Sequence, residues 1–119
     1  MNEVYIVFVY GTLKTGCRPK TIVKGKLRDN GSYPSIKLQH KIGDKDSNAD
    51  RIEVEICEVT KDQLAYWDRY EGVHRGLYNR VEVMAENNQV GYIYVGNESW
   101  LHADRKVLPD CDGIVRWRR

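Results

Sequence analysis

The strongest constraint on the fold of this chain is a continuous run of β-branched and aromatic residues near its start. Residues 4–9 read Val-Tyr-Ile-Val-Phe-Val, with no charged residue, glycine or proline. A strand with one wet face alternates between apolar and polar residues, so an unbroken run predicts a strand buried on both faces. Tyr10-Gly11-Thr12 then ends the run in a turn.

The rest of the chain predicts further strands and one helix. Strands are expected over 24–27, 35–38, 51–59, 77–84 and 90–95, with loops over 14–21 and 43–50, a hairpin turn at Asn87-Asn88, and irregular chain after Gly96 apart from one helical turn at 99–104. The period-two pattern of 51–59 predicts that Ile52, Val54, Ile56 and either Cys57 or Val59 face inward. Six strands and one helix favour an α+β fold, in which a compact barrel or strongly curled sheet carries the helix on one side.

The helix has recognisable start and stop signals. Thr60-Lys61-Asp62-Gln63 forms a capping box, in which the Thr hydroxyl and the Gln side chain each satisfy a free N–H group. Gly72 suits the end of a helix because glycine adopts a left-handed conformation easily. The sequence therefore predicts a helix from Lys61 to about Glu71.

Size and composition predict one ordinary globular domain over residues 1–119. The net charge of +2 does not favour nucleic acid, and the one local excess of base is the tail at 116–119. Three cysteines without short paired spacings argue against a disulfide framework and against a zinc site, so no metal is expected. The apolar run at 4–9 is too short for a signal peptide or a membrane span, and we expect a cytoplasmic protein that is a monomer or a weak homodimer.

One carboxylate lies on the wrong face of the predicted helix. Leu64 and Trp67 define the apolar stripe, and Glu71, four residues after Trp67, lies on the same stripe. Burial and the negative end of the helix dipole both disfavour an ionised carboxylate, so we expect a raised pKa and a candidate general base. The alternative is that Glu71 pairs at the surface with Arg69, Arg75 or Arg80, and Asp68 competes for the role.

The turn after the first strand is a candidate binding loop. Gly11 in Tyr10-Gly11-Thr12-Leu13 permits backbone angles that other residues avoid and allows a ligand to approach closely. Consecutive N–H groups in such a turn can bind an anion. The alternative is a plain turn that ends the strand.

Several motifs in this order resemble the gamma-glutamylcyclotransferase-like family, closest to its branch of gamma-glutamylamine cyclotransferases and avirulence-induced-gene-like proteins. The similarity covers about residues 5–95, and the motifs lie at 7–16, 25–27, 31–34, 54–59, 64–72, 78–83 and 91–95. Two features depart from the family pattern. Cys17-Arg18-Pro19-Lys20 stands where a helix usually follows the loop, and Trp67 stands where leucine is usual.

The resemblance implies a six- to seven-stranded barrel with a cavity at one side and no cofactor. It implies that Glu71 is the catalytic residue and that Tyr10, Gly11, Thr12 and Leu13 bind the substrate. The implied substrate is a small γ-glutamyl amine or related conjugate, which releases 5-oxoproline and a free amine. Tyr78 is a further candidate, either as a wall of the pocket or as a hydrogen-bond donor, although a tyrosine at the start of a strand is more often part of the core.

This reaction needs no protein nucleophile, because the α-amino group attacks the side-chain carbonyl of the same molecule. That agrees with Cys17, which has no evident base, and His74 is the only histidine close to Glu71 in sequence. Two other functions stay open: a small-ligand or protein-binding module that uses the same cavity without catalysis, and nucleic-acid binding through the tail.

Overall fold

The strands and helix were established in a computed structural model that describes residues 3–11, 14–29, 34–37, 49–96 and 105–117. The eight strands are β1 (Val4–Val9), β2 (Lys20–Asp29), β3 (Pro34–Lys37), β4 (Asp50–Thr60), β5 (Tyr78–Met84), β6 (Val90–Gly96), β7 (Arg105–Lys106) and β8 (Ile114–Val115). Helix α1 (Lys61–Tyr70) follows β4 directly, and one 3-10 turn (Val73–Arg75) separates it from β5.

The strands form one mixed sheet that curls into a half-barrel. The six longer strands lie in the order β3-β2-β4-β1-β6-β5, while β7 pairs with β2 and β8 pairs with β4. The β1–β6 and β4–β8 pairs are parallel, and the others are antiparallel. The curl brings β3 against β6, although three strands separate them in the sheet. The expected α+β fold with a curled, barrel-like sheet and one flanking helix is confirmed.

Strand β1 lies between two hydrophobic clusters, as its unbroken apolar sequence predicts. Phe8 packs in one cluster with Ile52 and Ile93, and Val7 and Val9 pack in the other. The second cluster also contains Leu64 of α1, which attaches the helix to the sheet. Burial applies to the last half of the strand, since Val4 is 56% exposed.

Strand β4 is also covered on both faces. Ile52 and Val54 lie in the first cluster and Ile56 packs against it, as the alternation predicts. Cys57 and Val59 both lie in the second cluster, so the opposite face of β4 is buried as well. The neighbouring β1 and β2 pair with β4 on its two edges, which makes it a central strand.

The predicted helix caps are confirmed. The Gln63 N–H donates to Thr60 Oγ1 at 3.3 Å, and the Thr60 N–H donates to Gln63 Oε1 at 2.9 Å. Gly72 has a φ of 72°, the left-handed conformation that ends many helices. Among the residues that the structure describes, no helix is long and apolar enough to cross a membrane.

Two secondary-structure predictions are wrong. Strand β2 begins at Lys20, inside the segment 14–21 that was expected to be a loop. The reason is that residues 20–25 pair with β4, and alternate side chains of β2 are buried. Residues after Gly96 were expected to be irregular, but they include β7 and β8, whose pairing partners are distant in sequence. The predicted helical turn at 99–104 and residues 43–48 of the predicted polar loop lie outside the described residues. Asp50, the last residue of that loop, instead begins β4.

Candidate active site

A small cavity opens where β1 ends, beside the last turn of α1. It encloses about 50 Å³, the room for on the order of four waters. Its walls come from β1, the start of β3, α1, β5 and β6, and they are mainly aromatic and aliphatic. The lining residues are Val7, Phe8, Val9, Tyr10, Gly11, Pro34, Trp67, Glu71, Tyr78 and Tyr94.

Glu71 supplies the one carboxylate among these lining residues. It forms the C-terminal cap of α1, and its backbone N–H donates to the carbonyl oxygen of Trp67 at 2.8 Å. Burial raises the pKa of Glu71 to about 7. Within the part of the chain that the structure describes, no cation or hydrogen-bond donor offsets that effect. The sequence-based expectation of a raised pKa is confirmed, and the alternative of a surface ion pair with Arg69, Arg75 or Arg80 is not seen.

Asp68, the competing carboxylate, is already engaged by two neighbours. The Tyr94 hydroxyl donates to Asp68 Oδ1 at 2.6 Å, and Arg80 Nε lies 3.0 Å from the same oxygen. The guanidinium of Arg80 in turn lies 4.5 Å above the ring centroid of Tyr92. Asp68 therefore serves an ion-pair and hydrogen-bond network behind the cavity wall.

The Tyr10 hydroxyl joins two strands at the cavity. It donates to the carbonyl oxygen of Tyr94 at 2.6 Å, and it accepts from the Ile36 N–H at 3.2 Å. Burial, reinforced by the neighbouring Tyr78 and Glu71, raises the pKa of Tyr10 well above its usual value. The phenol thus stays protonated and holds β1, β3 and β6 together.

Tyr78 lines the cavity and also belongs to the second hydrophobic cluster, so it occupies both the wall and the core positions that its place in the sequence left open. Its side chain is buried and lines the cavity. The hydroxyl donates to the carbonyl oxygen of Pro34 at 2.9 Å. Tyr78 therefore fixes the start of β3 against β5.

Gly11 is required here for close packing. Its φ is not positive, so the expected need for a special backbone angle is wrong. A Cβ at Gly11 would lie 2.7 Å from Pro34 Cγ, and the rigid proline ring leaves no room for it. The Lys14 N–H donates to the Gly11 carbonyl oxygen at 3.0 Å. Thr12 and Leu13, the remainder of the predicted binding loop, lie outside the described residues.

A second carboxylate, that of Glu55, holds the segment that follows the predicted binding loop. It is 2% exposed and accepts hydrogen bonds from the N–H groups of Thr15 at 2.8 Å and Gly16 at 2.7 Å. Arg18 Nη1 lies 3.5 Å from it. Burial would raise the pKa of Glu55, but the two N–H groups, together with Arg18 and Lys14, more than offset it, and the pKa is lowered.

Glu55 was missed, although a signal for it existed in the sequence. It shares a face of β4 with Cys57 and Val59, which are both buried. A carboxylate on an apolar strand face is the same kind of anomaly as Glu71 on an apolar helix face. Tyr94 was also missed, and the sequence carries no comparable signal, because an aromatic residue in a core strand is ordinary.

The segment after the turn contains no helix in the described residues 14–19, as the Cys17-Arg18-Pro19-Lys20 sequence indicated. Its residues run directly into β2, and the Ile56 N–H donates to the Pro19 carbonyl oxygen at 2.7 Å. Backbone and side chain of β4 thus hold in place a segment without regular structure of its own.

The other sequence candidates lie outside the cavity lining. Cys17 and His74 are exposed. Arg116 from the basic tail pairs with Glu53, Asp110 and Asp112 at 2.7–2.8 Å, so its charge is neutralised. Among the described residues, no group of three or more His, Cys, Asp or Glu is placed to hold a metal ion.

Comparison with known proteins identifies the family of this chain. Residues 7–118 match the family described as gamma-glutamyl cyclotransferase, AIG2-like. The chain belongs to this family, and membership implies gamma-glutamyl cyclotransferase-like activity. No curated protein matches the chain significantly, and neither does a solved structure.

Proposed function

We propose that this protein is a gamma-glutamyl cyclotransferase that releases 5-oxoproline and a free amine from a small γ-glutamyl amine or related conjugate, with Glu71 as general acid and base. The observation that carries the proposal is a half-buried carboxylate in a cavity, with a pKa of about 7 and no described partner. A base works best when its pKa lies near the working pH.

In the proposed reaction, the Glu71 carboxylate takes a proton from the α-ammonium group of the substrate. The free amine attacks the γ-carbonyl carbon, a C–N bond forms, and the carbonyl oxygen becomes an oxyanion. Protonated Glu71 then gives its proton to the departing nitrogen as the original C–N bond breaks. The oxyanion collapses to the lactam carbonyl, and the ring nitrogen passes its second proton to the released amine, which leaves as an ammonium ion. Glu71 ends as the carboxylate.

Positioning supplies much of the rate, because nucleophile and electrophile belong to one molecule. The cavity of about 50 Å³ holds only part of a γ-glutamyl group. We infer that the reacting end enters beside Glu71 while the α-carboxylate stays at the mouth. The N–H groups of Gly11, Thr12 and Leu13 are the proposed ligands for that carboxylate or for the oxyanion.

The test is to incubate the purified protein with γ-glutamyl amines and to measure 5-oxoproline. Glu71→Gln keeps the shape of the side chain but removes the base, and it should lower kcat by at least about 100-fold. Glu82→Gln is the matched control, since Glu82 is exposed on β5 and does not line the cavity. Turnover by Glu71→Gln at the wild-type rate would reject the role of Glu71.

The small size of the cavity favours one alternative, a binding module without catalysis. That function predicts a higher Tm in the presence of 5-oxoproline or a γ-glutamyl amine, with no 5-oxoproline formed from any substrate. Product formation that depends on Glu71 would exclude it.

A further inference from the structure

Tyr94 lines the cavity but was not among the residues expected to bind substrate. Its side chain is 4% exposed and shares the cavity wall with Glu71 and Tyr78. Building on the proposed function, we propose that the Tyr94 hydroxyl oxygen accepts a hydrogen bond from an N–H group of the substrate. In this proposal Asp68 is the positioning residue that fixes Tyr94 as an acceptor.

The direction of the Tyr94 hydrogen bond carries this proposal. A phenol has one proton, and that of Tyr94 lies on a 2.6 Å hydrogen bond to Asp68 Oδ1, the length typical of O–H to carboxylate. Asp68 is also the anion of an ion pair with Arg80 at 3.0 Å, so it has no proton to give. Tyr94 is therefore the donor in this contact, and toward the cavity its oxygen can only accept.

The partner of Asp68 is itself restrained. Arg80 packs its guanidinium 4.5 Å from the ring centroid of Tyr92 on the neighbouring strand. The Asp68 side chain is 17% exposed, so water competes weakly for it. The orientation of the Tyr94 hydroxyl is therefore fixed from behind by a charged pair, which reduces reorganisation when a ligand binds.

The other two hydroxyls of the cavity are committed in the same way. Tyr10 donates to the Tyr94 carbonyl oxygen, and Tyr78 donates to the Pro34 carbonyl oxygen. None of these three phenol protons is therefore directed to a ligand, and because Tyr10 also accepts from the Ile36 N–H, the oxygen proposed to accept from the substrate is that of Tyr94. A carboxylate or carbonyl oxygen would face only acceptors there, whereas an amine, ammonium or amide N–H would be satisfied. This selects the nitrogen-bearing end of the substrate for the inner part of the cavity.

The test uses binding of a ligand that cannot react further. 5-Oxo-L-proline carries a ring N–H, and the corresponding lactone carboxylate has an oxygen in its place with nearly the same shape. Calorimetric titration gives the Kd ratio of lactone to lactam for each variant. Wild type should prefer the lactam, and Tyr94→Phe should lower that ratio about tenfold. Part of the preference should remain, because Glu71 also accepts.

Asp68→Asn tests the positioning role through Tyr94. The amide introduced by Asp68→Asn can donate to the Tyr94 oxygen, which leaves the Tyr94 proton free to point toward the ligand. Asp68→Asn should therefore lower the Kd ratio of lactone to lactam when Tyr94 is present, and it should not lower the ratio further in the Tyr94→Phe variant. Asp62→Asn is the matched control, because it removes the same charge from the exposed first turn of α1. A folded Tyr94→Phe variant with an unchanged ratio would overturn the proposal, and so would additive effects of the two substitutions.

The two proposals fail in different ways. Lactam preference that depends on Tyr94, without 5-oxoproline formation from γ-glutamyl amines, would refute the cyclotransferase function alone. Turnover with an unchanged ratio in Tyr94→Phe would refute the acceptor role alone. If neither the lactam nor the lactone binds to the folded wild-type protein, the acceptor role is overturned.

Discussion

The backbone N–H of Glu71 and the carbonyl oxygen of Trp67 lie 2.8 Å apart, and both side chains line the same cavity. This hydrogen bond closes the last full turn of α1. The helix therefore fixes the position of the Glu71 carboxylate relative to the Trp67 indole. Glu71 forms the C-terminal cap, where the orphan carbonyl groups of the helix disfavour a negative charge. One helix therefore positions both the proposed base and the bulky side chain beside it.

The pH dependence of catalysis should report Glu71. Its pKa of about 7 means that the base form is lost as the pH falls through neutrality. We expect kcat/KM to decrease tenfold per pH unit below about pH 6, with a midpoint close to 7. The measurement is a pH–rate profile with a γ-glutamyl amine. A midpoint near 4.5, the ordinary glutamate value, would contradict this prediction.

The stability of the folded protein should also depend on the ionisation of Glu71. Folding raises the pKa of Glu71 from 4.5 to about 7, so the folded state binds more protons between these values. The free energy of unfolding should therefore fall as the pH rises from 4.5 to 7, by up to about 3 kcal/mol. Glu71→Gln should lack this loss and be the more stable protein at pH 8. Urea unfolding at pH 5 and pH 8 measures the difference, and parallel curves for both proteins would disprove it.

Trp67 should limit which amine can leave. Its side chain fills space next to Glu71 in a cavity of only about 50 Å³. Trp67→Leu should open the cavity, raise kcat/KM for γ-glutamyl amines with bulky substituents relative to the methylamide, and cost about 1–3 kcal/mol of stability. The measurement is the ratio of kcat/KM for the two substrates. Tyr66→Leu serves as the control, since Tyr66 is 61% exposed on the same helix.

Glu55 should stabilise the segment after the binding turn. Glu55→Gln removes the negative charge that accepts from the Thr15 and Gly16 N–H groups, and we expect a loss of about 1.5–3 kcal/mol. Because folding lowers the pKa of Glu55, this stabilisation is present at neutral pH and is lost as the pH falls below 4.5. Chemical unfolding from pH 7 to pH 3 should show wild type and variant converging in acid. Glu58→Gln, exposed on the same strand, should have no such effect.

The amino-acid sequence by itself determined the elements whose signals are local. The unbroken run at residues 4–9 predicted a strand, whose last half is buried on both faces, and Thr60 with Gln63 fixed the start of α1. Glu71 was identified because a 100° period placed it on an apolar stripe. Such features depend on neighbours within a few residues, so side-chain pattern alone is sufficient to predict them.

Only the tertiary structure decided what meets at the cavity. Gly11 contacts Pro34, Tyr10 reaches Tyr94, and Glu55 holds Gly16, and each pair is far apart in sequence. The start of β2 and the short β7 and β8 were missed for the same reason, because their hydrogen-bond partners come from distant strands. The direction of each tyrosine hydrogen bond is likewise set only once the sheet has curled, because the partners come from distant parts of the chain.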